Sequence, residues 1–228
     1  MRTVGSNHAE TQERVHAAAL RLFARKGFAA TGIRELAEEA GLSSAALYHY
    51  MGTKEDLLVA IMRSTIEPLL EAGYAILASG EPSENQIAAI VETHVWVHGS
   101  QPLATKITDS EVRALRGDRL TEVMELRDAY DAIWRRIVAK GVTESRFEVL
   151  DERVATLALL ELCTGVSDWY RPSGRLGLDD LCAIHTDLAF AVLRARRGRR
   201  PLRRSDLGLS HASEWIPSSP ERTGRIDR

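Results

Sequence analysis

The chain has 228 residues, 44% of them hydrophobic and 27% charged, with a formal net charge of −2. That length allows one large domain or two small ones, and the apolar fraction excludes wholesale disorder. No apolar run approaches the ~18 residues of a membrane span. The opening residues lack the apolar core of a secretory leader. Cys163 and Cys182 make neither a disulfide framework nor a zinc spacing. A cytoplasmic protein without a membrane partner is expected.

The near-neutral total hides an uneven distribution. Residues 1–60 carry seven basic and seven acidic side chains, residues 61–193 thirteen and twenty-one, and residues 194–228 ten and four. An acidic body therefore separates a neutral head from a basic tail, and each segment needs its own partner argument.

Apolar residues recur at three and four along the chain, the spacing of amphipathic helices, and no strand pattern persists. The first helix is expected from about His8 to Lys26, with Val15, Ala18, Ala19, Leu22 and Phe23 on one face and Gly27 as its stop. The second follows Thr31 as N-cap and the third follows Ser43, ending near Tyr50. A fourth follows Thr53, with Glu55 and Asp56 complementing its positive end, and Pro68 is expected to interrupt it. Further helices are expected at about 84–99, 103–115, 118–140, 147–170 and 178–196, giving an all-α protein of about nine helices. The run RARRGRRPLRR then gives way to Gly, Ser and Pro, so 197–228 reads as an Arg-rich, disordered tail. Three segments result: a head over 1–53, a body over 54–196, and the tail.

Thr31 to Tyr50 is two short helices joined by a Gly-containing turn, which is the helix-turn-helix pattern. Leu36, Ala37, Ala40, Leu42 and Leu47 supply its apolar underside, leaving Ser44, Ala45, Tyr48 and His49 outside. The helix start at Ser43–Ser44 offers backbone N–H groups to a phosphate, and Lys54 is a point charge of the kind that meets one. Plain scaffold is the competing reading. Arg2, Arg14, Arg25, Lys26, Arg34 and Lys54 are among the head's seven cations. For Arg14, Arg25 and Lys26 a solvated helix face is the better account.

The wording goes further than the spacing. The stretch TGIRELAEEAGLSSAALYHYMGTKEDLL, with AALRLFARKGFAAT before it, closely resembles the DNA-binding head of the TetR (tetracycline-repressor-like) family of bacterial regulators. The resemblance runs from Val15 to Ile61. It implies that Thr31, Tyr48, His49 and Lys54 touch DNA backbone or bases, and that two copies bind a palindromic double-stranded operator. Met51 stands where the family usually has Phe. Ala45 and Ala46 replace a pair that often includes a polar residue, which fits contact with thymine methyl groups.

The resemblance also implies a homodimer with a small-molecule pocket in the body. Residues 147–170 are apolar on more than one face, with Leu157 and Val166 among them, and the last helix adds Leu181, Ile184 and Leu188. Packed against their copies, these helices would form a four-helix dimer core; burial within one chain is the alternative. The stretch LCTGVSDWYRPSGRLGLDDL resembles a subgroup regulating fatty-acid and steroid catabolism, several of whose members answer to acyl-CoA thioesters. That implies Trp169, Tyr170 and Arg171 near the dimer seam, with Arg171 facing either a CoA phosphate or a neighbouring Asp.

Pocket candidates at helical spacing are Leu70, Tyr74, His94, Trp96, His98, Met124, Tyr130, Trp134 and Cys163. His94 and His98 have the i, i+4 spacing of a metal pair, but HVWVH lacks further ligands, so pocket polarity is the better reading. No catalytic motif is present, and neither an enzyme nor a cofactor is expected. The expected function is a ligand-released transcriptional repressor with a hydrophobic or acyl-CoA-like effector. A helical small-molecule-binding or scaffold protein that no longer reads DNA is the alternative.

Overall fold

The computed structural model describes residues 4–209. In chain order its helices are α1 (Val4–Lys26), α2 (Ile33–Glu39), α3 (Ser44–Met51), α4 (Lys54–Ala78), α5 (Ser83–Ser100), α6 (Pro102–Ser110), α7 (Gly117–Thr143), α8 (Glu152–Thr164), α9 (Val166–Trp169) and α10 (Leu178–Val192). Short 3₁₀ turns follow α6 at Val112–Ala114 and close the described chain at Arg204–Asp206. A two-stranded antiparallel hairpin pairs β1 (Arg196–Arg197) with β2 (Arg200–Pro201). The all-α architecture expected from the periodicity is the one observed, and among the described residues no helix is long and apolar enough to cross a membrane.

Two compact units form, and neither is a continuous stretch. One gathers the chain up to Glu67 together with Gln101–Tyr130; the other gathers Pro68–Ser100 and the described chain from Asp131 onward. In the first, α1 buries Val15, Ala18, Ala19, Leu22 and Phe23 and packs against α2, α3 and α6. In the second, α5 is buried on almost every side, packed with α8, α9 and α10. A Cβ at Gly99 would stand 2.4 Å from a Leu178 methyl, so any larger residue there requires the Leu178 side chain on α10 to move.

Several expectations are corrected. Helix α4 runs on through Pro68, because only one backbone bond is lost within a 25-residue helix. Thr31 does not cap α2; its hydroxyl donates instead to the Gly27 carbonyl at 2.8 Å, and Gly32 takes the cap position without a side-chain bond. The helix expected from 147 starts at Glu152, where the Asp151 side chain accepts from the Val154 N–H, and it breaks at Gly165. The arginine-rich run is folded over residues 196–206 rather than disordered, held by carboxylates at Asp187, Asp206 and Glu92. Residues 210–228, and Arg2 at the other end, lie outside the described residues.

Candidate nucleic-acid interface and effector body

The turn between α2 and α3 is built by Gly41, whose φ of +67° only glycine adopts without strain. Its N–H donates to Glu38 O and that of Leu42 to Ala37 O, closing α2. Ser43 then caps α3, its hydroxyl accepting from the Ala46 N–H at 3.2 Å. Leu47 and Met51 are buried, so methionine fills the place expected for a phenylalanine. The opposite face presents Ser43, Ala45, Tyr48 and His49 to solvent, with Tyr48 51% exposed and Ser44 half-buried. A solvent-facing tyrosine and alanine on a capped, rigid helix are what a groove-reading element needs. His8 of α1 packs on Tyr50, ring centroids 4.9 Å apart, and edge-on to His49.

The head's neutral charge resolves into pairs. Arg21 meets Glu39 at 2.7 Å, while Arg25 and Lys26 both meet Glu35. The Lys26 hydrogen bond leads in holding the Glu35 carboxyl below the usual carboxylate range. Arg34 is exposed and, among the described residues, has no carboxylate partner. Lys54 is more occupied than its sequence position implies. Its Nζ donates to Phe28 O and Thr31 O, both at 3.0 Å, and lies 4.3 Å from the Phe28 ring centroid. One N–H and the charge remain for a phosphate. Thr31 is buried, so its side chain supports the loop from inside.

In the same unit, α4 and α7 border an open cleft of about 470 Å³ lined by Asp56, Arg63, Glu67, Arg119 and Glu122 among others. Ion pairs Arg63–Glu122 and Arg119–Asp56, both at 2.7 Å, cross it. Such a lining suits water better than an apolar effector.

In the second unit the expected pocket residues separate. His94, His98, Trp134, Leu70 and Cys163 are buried, Trp96 is half-buried and Tyr74 is exposed. Met124 (exposed) and Tyr130 (buried) belong to the first unit. The structure unites three of the set. The His94 and His98 rings stack at 4.0 Å, and Trp134 meets His94 edge-on at 5.6 Å. His98 Nδ1 stands 2.9 Å from His94 O, and His94 Nε2 stands 3.1 Å from Thr164 Oγ1. Burial pushes the Cys163 thiol pKa well up, so it acts as an inert apolar filler. Thr164 and His185 were missed by periodicity alone, because a polar residue on a buried helical face reads as noise.

The expected seam also sorts itself. Val166 and Leu181 are buried in the chain's own core, since α9 and α10 both pack against α5 and α8. By contrast Leu157, Trp169, Ile184 and Leu188 are exposed, and Val154 and Val192 join them. Ile184, Leu188 and Val192, each over 40% exposed, form an i, i+4, i+8 stripe on α10. Tyr170 is half-buried. Arg171 is exposed and donates to the Asp168 and Tyr170 carbonyl oxygens rather than to a carboxylate.

Comparison with known proteins gives a consistent picture. Residues 16–61 match the family model described as bacterial regulatory proteins, tetR family. Residues 80–193 match the tetracyclin repressor-like C-terminal domain. The HTH-type transcriptional repressor KstR2 of Rhodococcus jostii is 31% identical over 171 residues, covering 74% of this chain and 84% of that protein. A tetR-family regulatory protein from Rhodococcus RHA1 superposes with a TM-score of 0.75 at 26% identity, over 82% of this chain and 98% of that one. The structure of AibR in complex with isovaleryl coenzyme A and operator DNA shares the fold, with a TM-score of 0.70 at 18% identity, over 78% of this chain and 97% of that one.

Proposed function

The chain belongs to the TetR family of bacterial regulatory proteins, and we propose that this helix-turn-helix transcriptional regulator is a repressor released from a palindromic operator by an apolar or acyl-CoA thioester effector. The observation that carries the reading is the outer face of α3, where Ala45, Tyr48 and His49 stand exposed on a helix fixed by the Ser43 cap and the Gly41 turn. In this reading residues 1–53 form the DNA-binding domain. Arg34, Ser43, Ser44 and Lys54 contact phosphates, Ala45, Tyr48 and His49 face bases, and Thr31 acts by supporting the loop behind them. Residues 54–196 carry the effector and dimer functions.

Support for the dimer comes from the stripe on α10, exposed among the described residues, together with Leu157 and Trp169, which four packed helices from two copies would bury. The effector enters through the body, with His94, His98 and Trp134 as its polar and aromatic anchors and Leu70, Tyr74, Trp96 and Cys163 as the further candidate lining of the same unit. An acyl-CoA thioester is favoured because KstR2 is a named repressor relative and AibR, of the same fold, holds isovaleryl coenzyme A. No chemistry on a substrate is assigned, and the cytoplasm is the proposed compartment.

The test is selection of a duplex by the wild-type protein from a randomised pool, followed by titration with isovaleryl-CoA and with free coenzyme A. Release by the thioester and not by free coenzyme A is expected. Failure to enrich any duplex overturns DNA reading; release by neither compound overturns the thioester assignment alone.

A further inference from the structure

We propose that Glu111 and Arg119, at the corner between α6 and α7, are positioning residues for DNA binding that hold Lys54 and the loop beneath it. The proposal rests on the reading of α3 and Lys54 as DNA contacts. Both residues lie in the same compact unit as the head.

The first tie is at the loop joining α1 to α2. The Phe28 N–H donates to Glu111 Oε1 at 3.1 Å. A Cβ on Gly27 would stand 3.3 Å from that same oxygen, so the loop backbone runs directly against the carboxylate. On its other side the Phe28 carbonyl accepts from Lys54 Nζ at 3.0 Å, and the ammonium sits over the Phe28 ring. Residue 28 is therefore gripped by the end of α6 through its N–H and by the start of α4 through its carbonyl.

The second tie is at the other side of Lys54. Thr53 and Asp56 cap α4 reciprocally: Asp56 N–H donates to Thr53 Oγ1 at 3.0 Å, and Thr53 N–H donates to Asp56 Oδ2 at 2.9 Å. The remaining oxygen, Oδ1, accepts from Arg119 Nε at 2.8 Å, and Nη2 stands 2.7 Å from it. Thr53, Arg119 and the cap together hold the Asp56 carboxyl down at about 2, so the pair is charged at any working pH. At 43% and 44% exposure this pair adds little to stability. What its planar fork supplies is a fixed direction for the first turn of α4.

The sign of the Glu111 effect separates positioning from plain electrostatics. Deleting a carboxylate beside a DNA-binding surface tightens binding if only charge matters. Deleting the anchor of Phe28 weakens it. The probe is the duplex enriched by the wild-type protein, fluorescently labelled and read by anisotropy. Glu111→Ala is expected to weaken affinity about tenfold, the scale of one lost charge-assisted hydrogen bond. Glu111→Gln keeps an acceptor for the Phe28 N–H and is expected to stay within about twofold of wild type. Arg119→Ala is expected to weaken affinity about threefold, with part of the loss recovered by Arg119→Lys. Neither residue contacts phosphate, so the slope of log affinity against log salt stays at the wild-type value. In a Lys54→Ala background, Glu111→Ala costs no further affinity.

Tighter or unchanged binding by Glu111→Ala, full additivity with Lys54→Ala, or a lowered salt slope for Arg119→Ala overturns the proposal. If Glu111→Ala does not fold, Arg119→Ala decides alone, and unchanged affinity there overturns it. A wild-type protein that enriches no duplex overturns the DNA reading and this inference together.

Discussion

Arg204 reaches back to Glu92 across most of the second unit's sequence, its Nε 2.5 Å from Glu92 Oε1 and its Nη2 3.3 Å from Oε2. Glu92 sits in the middle of α5 and is 1% exposed; Thr186 also donates to it, at 3.2 Å. A carboxylate this deep needs a cation and hydrogen bonds to offset its lost hydration. The Arg204 backbone N–H donates in turn to Asp187 at 2.7 Å, and Leu202 is buried nearby. The arginine-rich segment is thus a strap whose last arginine completes the core of the body.

Arg204→Ala is expected to destabilise the protein by about 3 kcal/mol, because it strands Glu92 without its cation. Chemical denaturation with a second measurement on Glu92→Leu/Arg204→Met checks the cause. That double variant removes both charges and is expected to recover most of the loss. A double variant as unstable as Arg204→Ala would place the effect elsewhere in the strap.

The two exposed and half-buried head contacts are expected to behave differently. Tyr48 is exposed with its ring in solvent, so Tyr48→Ala is expected to cost about tenfold in operator affinity and nothing in melting temperature. Lys54 serves the loop as well as the operator, through Phe28 O and Thr31 O. Lys54→Ala is expected to lower the melting temperature, weaken binding and reduce the salt slope by about 1. Anisotropy titrations across a salt series, with thermal melts of the same samples, separate the two patterns.

The helix-turn-helix was legible because its determinants are local: a glycine that turns, a serine that caps, and apolar residues at three and four. The strap was not. Seven arginines in eleven residues read as a solvated tail, since nothing nearby in sequence announces that Glu92 needs one of them. The clue was Glu92 itself, one charge inside the apolar run IAAIVETHVWVH. The pocket set was legible only where helices already share a face, as His94 and His98 do. Met124 and Tyr74 failed that test because period alone does not say which face a long helix buries. Glu111 and Arg119 left no periodic signal at all, because each acts on backbone or on a capping carboxylate distant in sequence.

Dimerisation through the α10 stripe gives a sharp test. Leu188 lies between Ile184 and Val192 on a face that stays exposed among the described residues. Leu188→Asp is expected to weaken the dimer by at least a hundredfold, about 3 kcal/mol, because the charge would be buried between two copies. Leu188→Met keeps the volume and is expected to leave the dimer intact. Sedimentation velocity over a concentration series reads both. A dimeric Leu188→Asp would move the interface off this stripe.

His185 sets a pH dependence whose sign follows from its burial. It is 3% exposed on α10, with Nδ1 2.9 Å from Leu181 O and the Trp169 ring stacked at 6.1 Å. Desolvation leads in lowering its pKa below the ordinary value of 6.5. In the unfolded chain the imidazole takes up a proton as pH falls through that value, while in the folded chain it does so only at lower pH. The unfolded state then binds more protons, so stability falls with falling pH, starting near 6.5 and levelling off below the folded pKa. Above 6.5 both states are neutral and the group contributes no slope. His185→Gln removes the titrating ring and is expected to flatten the stability profile between pH 7 and pH 5, measured by urea denaturation against wild type at each pH. The profiles of the two proteins should run parallel above pH 7 and draw together below it. Parallel profiles throughout would mean that the folded chain protonates His185 as readily as the unfolded one does.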